Sequence, residues 1–286
     1  MKIVFNALSA RLGGGQTYLI NLFQFVPFDK DIEIRVFAPS SLKLPDHSRI
    51  RRVQPAWPTE NSIVRALWGK WVLPGILKAE KADVLFCPGG VVGTRAPAGC
   101  KVATMLRSMI QFDLHVRKSL PLGLQRLRNW FLSRIVLKNM SEANLTIFVS
   151  NYARSIIESL AKAKNPFTIH HGIDSVFLLH GKSTVSPDLL LGKECALYVS
   201  RFDVYKHNFQ VVSACGELAK ELFERFSPFD SQDKGQVLTE VLTNSELLKM
   251  LAVAAVAQGD KFDWEDVSRK TWSELLALAK LHKVGV

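Results

Sequence analysis

The sequence predicts an α/β protein with a doubly wound parallel sheet, and three observations lead to this prediction. Short apolar segments of strand type alternate with helical patterns along the chain, and such alternation is typical of parallel sheets. Hydrophobic residues make up 48% of the 286 residues, which is enough to build a large core. Glycines and cations recur where the strands end, and ligands of open α/β sheets bind at those ends.

The chain begins with a strand, a glycine-rich loop and a helix. Apolar residues predict the strand at 2–6, and an amphipathic pattern predicts the helix at 16–25. Between them stand Gly13, Gly14 and Gly15. Glycine lets backbone amides approach a ligand closely, and a helix N-terminus favours a phosphate group. The spacing matches neither the dinucleotide fingerprint nor a P-loop, so the loop alone is a weak indication of a phosphate site.

The remaining elements of the first half follow in order. The patterns predict strands at 32–37, 50–53, 83–87, 102–106 and 145–149, and helices at 62–79, 122–139 and 152–163. Ser150 is the predicted N-cap of the last of these helices. A linker is expected near Pro166, and Gly172 is expected to form a tight turn between domains.

The helix predicted at 122–139 is amphipathic. Its apolar stripe consists of Leu124, Leu127, Phe131 and Ile135. The cations that lie off this stripe are Arg126, Arg128, Arg134 and Lys138.

Two cations mark a further strand end in the second half. Residues 196–199 predict a short buried strand, followed by Arg201 and Lys206 before a helical pattern that begins near Asn208. Cations at the carboxyl end of a strand, just before a helix N-terminus, predict an anion site. Arginine offers a planar fork of donors and lysine a mobile point charge. A surface loop with two solvated cations is the alternative interpretation.

The net charge is +11, and the excess of Lys and Arg lies in residues 1–143. This distribution suggests an anionic partner, which could be a phosphorylated substrate, a membrane surface or nucleic acid; a solvated basic face is the alternative. No motif of interleaved aromatic and basic residues is present, so no nucleic-acid partner is predicted. No apolar run reaches the roughly 18 residues of a membrane span, and residues 1–5 begin as a strand rather than a secretory signal. We expect a cytoplasmic protein, with peripheral contact at the inner membrane face as a further option.

Cysteines and histidines do not predict a metal site. The four cysteines are Cys87, Cys100, Cys195 and Cys215. Their spacing is typical of neither a disulfide framework nor a metal site. His170 and His171 are adjacent, and neighbouring side chains on a strand point to opposite faces.

Several motifs carry a resemblance to a known family. They are Gly13 to Gly15, Asp83 to Gly90, Phe148 to Ala153, His171 to Asp174 and Tyr198 to Lys206. In this order they resemble the motifs of the retaining, GT-B-fold glycosyltransferases of group 1, which use nucleotide-sugar donors. The resemblance covers residues 1–220 and implies two Rossmann-like domains across a cleft. It assigns residues 1–165 to the acceptor-side domain, 166–258 to an incomplete donor-side domain, and 259–286 to a C-terminal helix that packs toward the first domain.

The resemblance also implies roles for individual residues. Arg201 and Lys206 would hold the leaving diphosphate as the catalytic pair. The implied substrate-binding residues are Gly14, Gly15, Arg107, His115, His171 and Gly172. Fixed cations and helix N-termini stabilise a leaving diphosphate without a metal ion, so no metal and no cofactor besides the donor substrate are expected. The implied partners are a nucleoside-diphosphate sugar, a glycan or lipid-linked acceptor, and an anionic membrane.

One departure from the family pattern affects the predicted activity. Related enzymes carry two glutamates at positions i and i+8 that orient the sugar and the ribose, and this chain contains no such pair. An internal deletion near residues 221–225 is therefore expected, of about three βα units at roughly 30 residues each. The resemblance implies a glycosyltransferase of impaired activity. The alternative is a non-catalytic remnant that acts as a binding or interaction module.

Overall fold

The computed structural model describes residues 1–11, 13–27, 31–112, 123–173, 244, 246–247, 249–250, 253–254 and 261–283. The chain divides into two compact units, one of residues 1–113, 121–173 and 262–286, the other of residues 114–120 and 174–261. Almost all of the second unit lies outside the described residues, and with it the predicted strand at 196–199. The fold given below is that of the first unit. The domain limits expected from the sequence stay a prediction.

Seven strands among the described residues form one parallel sheet. They are β1 (Lys2–Asn6), β2 (Glu33–Phe37), β3 (Ile50–Val53), β4 (Val84–Cys87), β5 (Lys101–Leu106), β6 (Leu145–Phe148) and β7 (Pro166–Thr168). Their order is β3-β2-β1-β4-β5-β6-β7, and every neighbouring pair is parallel. The predicted parallel α/β fold is confirmed. The strand order reverses between β1 and β4, which creates a topological switch point at their carboxyl ends.

Six helices accompany the sheet in the described part of the first unit. They are α1 (Gly14–Gln24), α2 (Ser62–Trp71), α3 (Leu73–Ala79), α4 (Leu124–Glu142), α5 (Asn151–Leu160) and α6 (Trp264–Lys283). The helix predicted at 62–79 is divided at Val72, because Pro74 in the first turn of α3 lacks an N–H group and disfavours continuation of the preceding turn. Ser150 is the N-cap of α5, as predicted, because its Oγ accepts a hydrogen bond of 3.1 Å from the amide of Ala153. Pro166 begins β7 instead of a linker.

One face of the sheet is covered by α1 and α6. Phe5 on β1 packs edge-on against Phe23 of α1, with ring centroids 4.9 Å apart, and lies 5.7 Å from the ring of Trp272 on α6. Trp272 is fully buried, and its indole N–H donates a 3.0 Å hydrogen bond to the carbonyl of Leu22. Residues from the end of the chain therefore complete the core that the first strand begins.

The opposite face is covered by the other helices. Side chains alternate between the two faces along a strand, so Val4 points away from Phe5 into a cluster with Trp68 of α2 and Leu77 of α3. Leu106 at the end of β5 belongs to a further cluster with residues of α4 and α5. Within the described residues, no helix is long and apolar enough to cross a membrane.

Two of the four cysteines lie inside this fold as free thiols. Cys87 and Cys100 are both buried. Burial, together with the nearby charge of Asp83, raises the pKa of Cys100 to about 11, and burial raises the pKa of Cys87 as well. Thiols in such surroundings are poor nucleophiles and poor metal ligands. Cys195 and Cys215 lie outside the described residues.

Candidate functional site

Three chain segments meet at the carboxyl ends of β1, β4 and β5. The loop after β1 and the turn after β4 touch, because a Cβ placed on Gly89 would lie 2.4 Å from Oγ of Ser9. Gly90 in the same turn has a φ of 79°, in the left-handed region that favours glycine. The site therefore lies at the switch point of the sheet, where open α/β folds bind their ligands.

The N-terminus of α1 points into this region. Gly13 precedes the helix with a φ of 64°, no side chain caps the helix, and its first turn contains no acidic residue. The first amides of a helix have no partner within the helix. Together with the helix dipole, these amides favour an anion at this end. Gly14 and Gly15 form this first turn.

Arg107 follows β5 and is held beside the same helix turn. Its Nε–H donates a 2.7 Å hydrogen bond to the carbonyl of Pro88. A Cβ placed on Gly15 would lie 2.8 Å from Nη1 of Arg107, and the guanidinium carbon lies 6.0 Å from the ring centroid of Tyr18. Within the described part of the chain, no carboxylate pairs with Arg107. Burial lowers its pKa, but an arginine keeps its charge in proteins, so the site holds a fixed cation next to an uncapped helix.

Tyr18 lies between Arg107 and His171 in this site. It is 1% exposed, and its hydroxyl donates a 3.4 Å hydrogen bond to Oγ1 of Thr271. The ring of His171 packs against it at 5.4 Å between centroids. Burial lowers the pKa of His171 to about 4, and the charge of Arg107 acts in the same direction. His171 is therefore neutral at pH 7 and adds no positive charge to the site.

Gly172 packs against the start of α6. It does not have a positive φ, and the described residues around it form no turn, so the tight turn expected from the sequence is not seen there. A Cβ at this position would lie 2.5 Å from the indole of Trp264. The next amide, that of Ile173, donates a 2.6 Å hydrogen bond to the carbonyl of Phe262. Glycine is needed here because the start of α6 packs directly against the backbone.

The structure thus gathers part of the predicted set. Gly15, Arg107 and His171 surround Tyr18, and Gly14 lies in the same helix turn as Gly15. Gly172 contacts Trp264, which lies 5.8 Å from the ring of His171. The other three predicted residues, Arg201, Lys206 and His115, lie outside the described residues.

Sequence reasoning missed Tyr18, Ser9 and Pro88. Tyr18 occupies an apolar position in the amphipathic pattern of α1, and an aromatic residue at such a position is predicted to be part of the hydrophobic core. Pro88 contributes a backbone carbonyl, which leaves no signal in a side-chain pattern. In the part of the chain that is described, no group of three or more His, Cys, Asp or Glu side chains is placed to hold a metal ion.

A separate cavity lies at the opposite end of α1. Its volume is about 560 Å³, and the residues that line it include Phe25 and Val26, which follow α1, and Trp272 and Leu276 of α6. Because α1 runs from the carboxyl edge of the sheet to the amino edge, this cavity is remote from Gly15. It contains none of the predicted site residues and does not extend the candidate site.

Comparison with known proteins identifies the family. Residues 12–177 match the model of Glycosyltransferase Family 4, which is more than half of the chain. The chain belongs to glycosyltransferase family 4. The matched segment of this family 4 chain contains Gly14, Gly15, Arg107, His171 and Gly172, which are the predicted site residues that the structure describes, whereas α6 follows after its end.

Two solved structures are similar to this family 4 chain. One is a glycosyltransferase from Rickettsia africae ESF-5, which is 14% identical with a TM-score of 0.41; the match covers 76% of this chain and 56% of that one. The other is the lipopolysaccharide outer core galactosyltransferase WaaB in its apo form, which is 14% identical with a TM-score of 0.36 and coverages of 61% and 46%. The chain therefore spans about half the length of the solved structures it matches. No curated protein gives a significant match.

Proposed function

We propose that this family 4 chain acts in the transfer of a sugar from a nucleotide-sugar donor to a hydroxyl group of a glycan or glycolipid. Family membership supports sugar transfer as the reaction class. The observation that supports a site for it is the guanidinium of Arg107, held against Gly15 at the uncapped N-terminus of α1. This arrangement presents positive charge and amide donors at the switch point of the sheet.

The chemistry of sugar transfer needs such a group. When the bond between the sugar and the diphosphate breaks, negative charge develops on the leaving oxygen and the sugar gains oxocarbenium character. A fixed guanidinium and a helix N-terminus stabilise developing negative charge because they are already oriented toward it. In this proposal Arg107 and the first turn of α1 bind an anionic group of the donor or acceptor. Arg201 and Lys206 hold the leaving diphosphate, and the donor is a substrate rather than a cofactor.

In this proposal the chain transfers sugar less efficiently than related enzymes that carry the glutamate pair. No two glutamates in the chain are eight positions apart, and diphosphate contacts alone do not orient a sugar. A displacement of about 1 Å of the reacting carbon can slow a reaction about a hundredfold. We therefore expect weak nucleoside-diphosphate binding and little or no sugar transfer. Retention of configuration, membership of group 1 and the internal deletion near residues 221–225 belong to the same proposal.

The missing glutamate pair also favours a second candidate function. In this alternative the chain is a non-catalytic remnant whose first unit binds an acceptor or partner. Both candidates include a cytoplasmic location with peripheral contact at the inner membrane face, where a lipid-linked acceptor would be reached. The positive charge of residues 1–143 supports that contact, because anionic lipids attract basic surfaces.

A pair of variants tests the proposed site. Arg107→Met removes the fixed cation, and Lys78→Met removes the same charge from an exposed position on α3, which leads to the amino edge of the sheet. A hydrogen bond to a charged group contributes about 1.5–3 kcal/mol, so Arg107→Met should weaken uridine-diphosphate binding at least about tenfold in calorimetry. Lys78→Met should stay within about twofold of the wild type. Equal binding by both variants would show that Arg107 does not bind the donor diphosphate.

A transfer assay separates the two candidate functions. Purified chain is incubated with a labelled nucleotide sugar, with and without glycan acceptors, and hydrolysis and transfer are both measured. Binding without turnover supports the remnant, and the Arg201→Ala, Lys206→Ala double variant should then lose the binding. Robust turnover by the 286-residue chain alone would show that the proposed deletion does not impair it.

A further inference from the structure

Helix α4 turns its apolar stripe away from the core. The exposed fractions are 86% for Leu124, 52% for Leu127, 53% for Phe131 and 43% for Ile135. The buried side of the same helix begins with two polar residues, Asn129 and Ser133. An apolar stripe on a surface helix ordinarily faces the core, so the amphipathic pattern of α4 is reversed over its first three turns.

The packing of α4 against the sheet determines this orientation. Val136 and Met140 are buried in one cluster with Leu106 of β5 and Phe148 of β6. The hydroxyl of Ser133 donates a 2.7 Å hydrogen bond to the carbonyl of Trp130, so its polar group is satisfied inside the helix. Rotation of the stripe toward the sheet would remove Val136 and Met140 from their core positions. The outward stripe is therefore a fixed feature of the fold.

Cations flank the exposed stripe. At 100° per residue, Arg128 lies on one side of it and Arg134 on the other, and both are exposed. The guanidinium of Arg134 stacks over the ring of Trp130 at 5.0 Å. The acid of this helix is Glu142 in its last turn, which lies 3.8 Å from Lys138. The outer face of α4 is thus apolar along its centre and positive along its edges.

The composition of this surface matches that of helices that lie in the interface of a membrane. Interfacial helices bury an apolar face of Leu, Phe and Trp at the boundary between headgroups and acyl chains, while Lys and Arg beside it meet anionic headgroups. In a symmetric dimer, a second copy of the chain would bring the same cations against each other. This repulsion disfavours a second copy as the partner of this face. Long basic side chains can place their charge in the headgroup layer while their stems cover apolar surface.

We propose that the outer face of α4 inserts into the interface of an anionic membrane. This inference rests on the membrane contact included in the proposed function and assigns it to one helix. Helix α4 ends at Glu142, just before β6 begins at the amino edge of the sheet, so Leu124, the most exposed member of the stripe, lies toward the same edge as Arg107. The membrane surface would then adjoin the edge that carries the candidate site.

Vesicle sedimentation of the full chain tests this inference. The probes are phosphatidylcholine vesicles and mixed phosphatidylcholine–phosphatidylglycerol vesicles at low salt, with no sugar donor present. The wild type should bind the mixed vesicles at least about tenfold more tightly than the neutral ones. Leu127→Ser combined with Phe131→Ser should lower binding to the mixed vesicles at least about tenfold. The matched control is Ile63→Ser combined with Leu160→Ser, two residues of similar exposure on α2 and α5, and it should stay within about twofold.

A second pair of variants tests the charged edges. Arg128→Gln with Arg134→Gln should weaken binding to the mixed vesicles at least about fivefold, whereas Lys78→Gln with Lys101→Gln removes the same charge elsewhere and should change it less than twofold. Circular dichroism and thermal melting confirm that each variant is folded.

Three outcomes would overturn the inference. They are equal binding to neutral and anionic vesicles, equal losses in the α4 and control variants, and binding of an acidic peptide such as polyglutamate to the α4 face without any vesicle binding. Because vesicle binding is measured without a donor, these outcomes are independent of whether the chain transfers sugar.

Discussion

The guanidinium of Arg107 lies directly against Gly15, so that a Cβ at Gly15 would come within 2.8 Å of Nη1. Arg107 arrives from the end of β5, and Gly15 belongs to the first turn of α1. The carbonyl of Pro88 holds the other side of the guanidinium. A fixed cation and an uncapped helix N-terminus therefore share one position, and a single methyl group on Gly15 would separate them.

Replacement of Gly15 by alanine should affect the site without harming the fold. The backbone of Gly15 is helical, and alanine is a better helix former than glycine by up to about 1 kcal/mol, so the free energy of unfolding should stay equal or rise. The added methyl displaces the guanidinium of Arg107, the end of its side chain, from the first turn of α1. We expect nucleoside-diphosphate binding to fall about tenfold, the equivalent of about 1.4 kcal/mol, as measured by calorimetry.

The control for this variant is Gly75→Ala in α3. A Cβ at Gly75 meets no atom within 4 Å, so the same helix propensity is gained without any steric change near the site. Gly75→Ala should bind nucleoside diphosphate as the wild type does. Undiminished binding by Gly15→Ala would mean that the position of Arg107 is not needed for an anion.

His171 should make the stability of the first unit depend on pH. Its pKa falls from 6.5 to about 4 on folding because burial, and then Arg107, disfavour the charged ring. Below pH 6.5 the unfolded chain binds a proton that the folded chain does not. Stability from this residue is therefore present above pH 6.5 and is lost as the pH falls toward 4. At about 1.4 kcal/mol per pKa unit, the loss approaches 2 to 3 kcal/mol.

Denaturant titrations between pH 7 and pH 4 measure this effect. His171→Gln should flatten the pH dependence of the free energy of unfolding over that window. His170→Gln changes the exposed neighbouring residue and should leave the wild-type slope in place. An unchanged slope in His171→Gln would assign the acid sensitivity to other groups.

Trp272 should be essential for the stability of the first unit. It is fully buried between α1 and the sheet, with hydrogen bonding to the carbonyl of Leu22. Truncation of a buried tryptophan costs about 3–5 kcal/mol, so Trp272→Ala should lower the free energy of unfolding by that amount in urea titrations. Leu281→Ala, at a position of α6 that is 65% exposed, should change it by less than about 0.5 kcal/mol. Equal stability of both variants would mean that α6 does not complete this core.

Much of the fold was predictable because its signals are local. Apolar runs placed β1 and β3 at residues 2–6 and 50–53, where the structure has them. Ser150 was recognisable as an N-cap from its own sequence context. The break at Val72 was missed because the helical periodicity continues through Pro74. The sequence predicts a linker near Pro166, whereas Pro166 begins the edge strand β7, a position that tolerates a missing N–H donor.

The candidate site was predictable only as separate pieces. The family resemblance implies substrate-binding roles for the glycine loop and Arg107, and both follow predicted strands, which end at one edge of a parallel sheet. Their contact, and the place of Tyr18 between Arg107 and His171, could not be inferred from spacing. The stripe on α4 was visible in the sequence, but its outward direction depends on which side of the helix fits the cluster of Leu106 and Phe148.

The sequence by itself determined the alternation of strands and helices, the glycine loop before α1 and the cation after β5, because periodicity and caps act over a few neighbouring residues. Only the tertiary structure decided the strand order, the closing of the sheet face by α6 and the meeting of Gly15 with Arg107. These features depend on contacts between distant residues, such as the hydrogen bond from Trp272 to Leu22 across 250 positions. Such contacts form where apolar faces are buried together, and no local pattern specifies their partners.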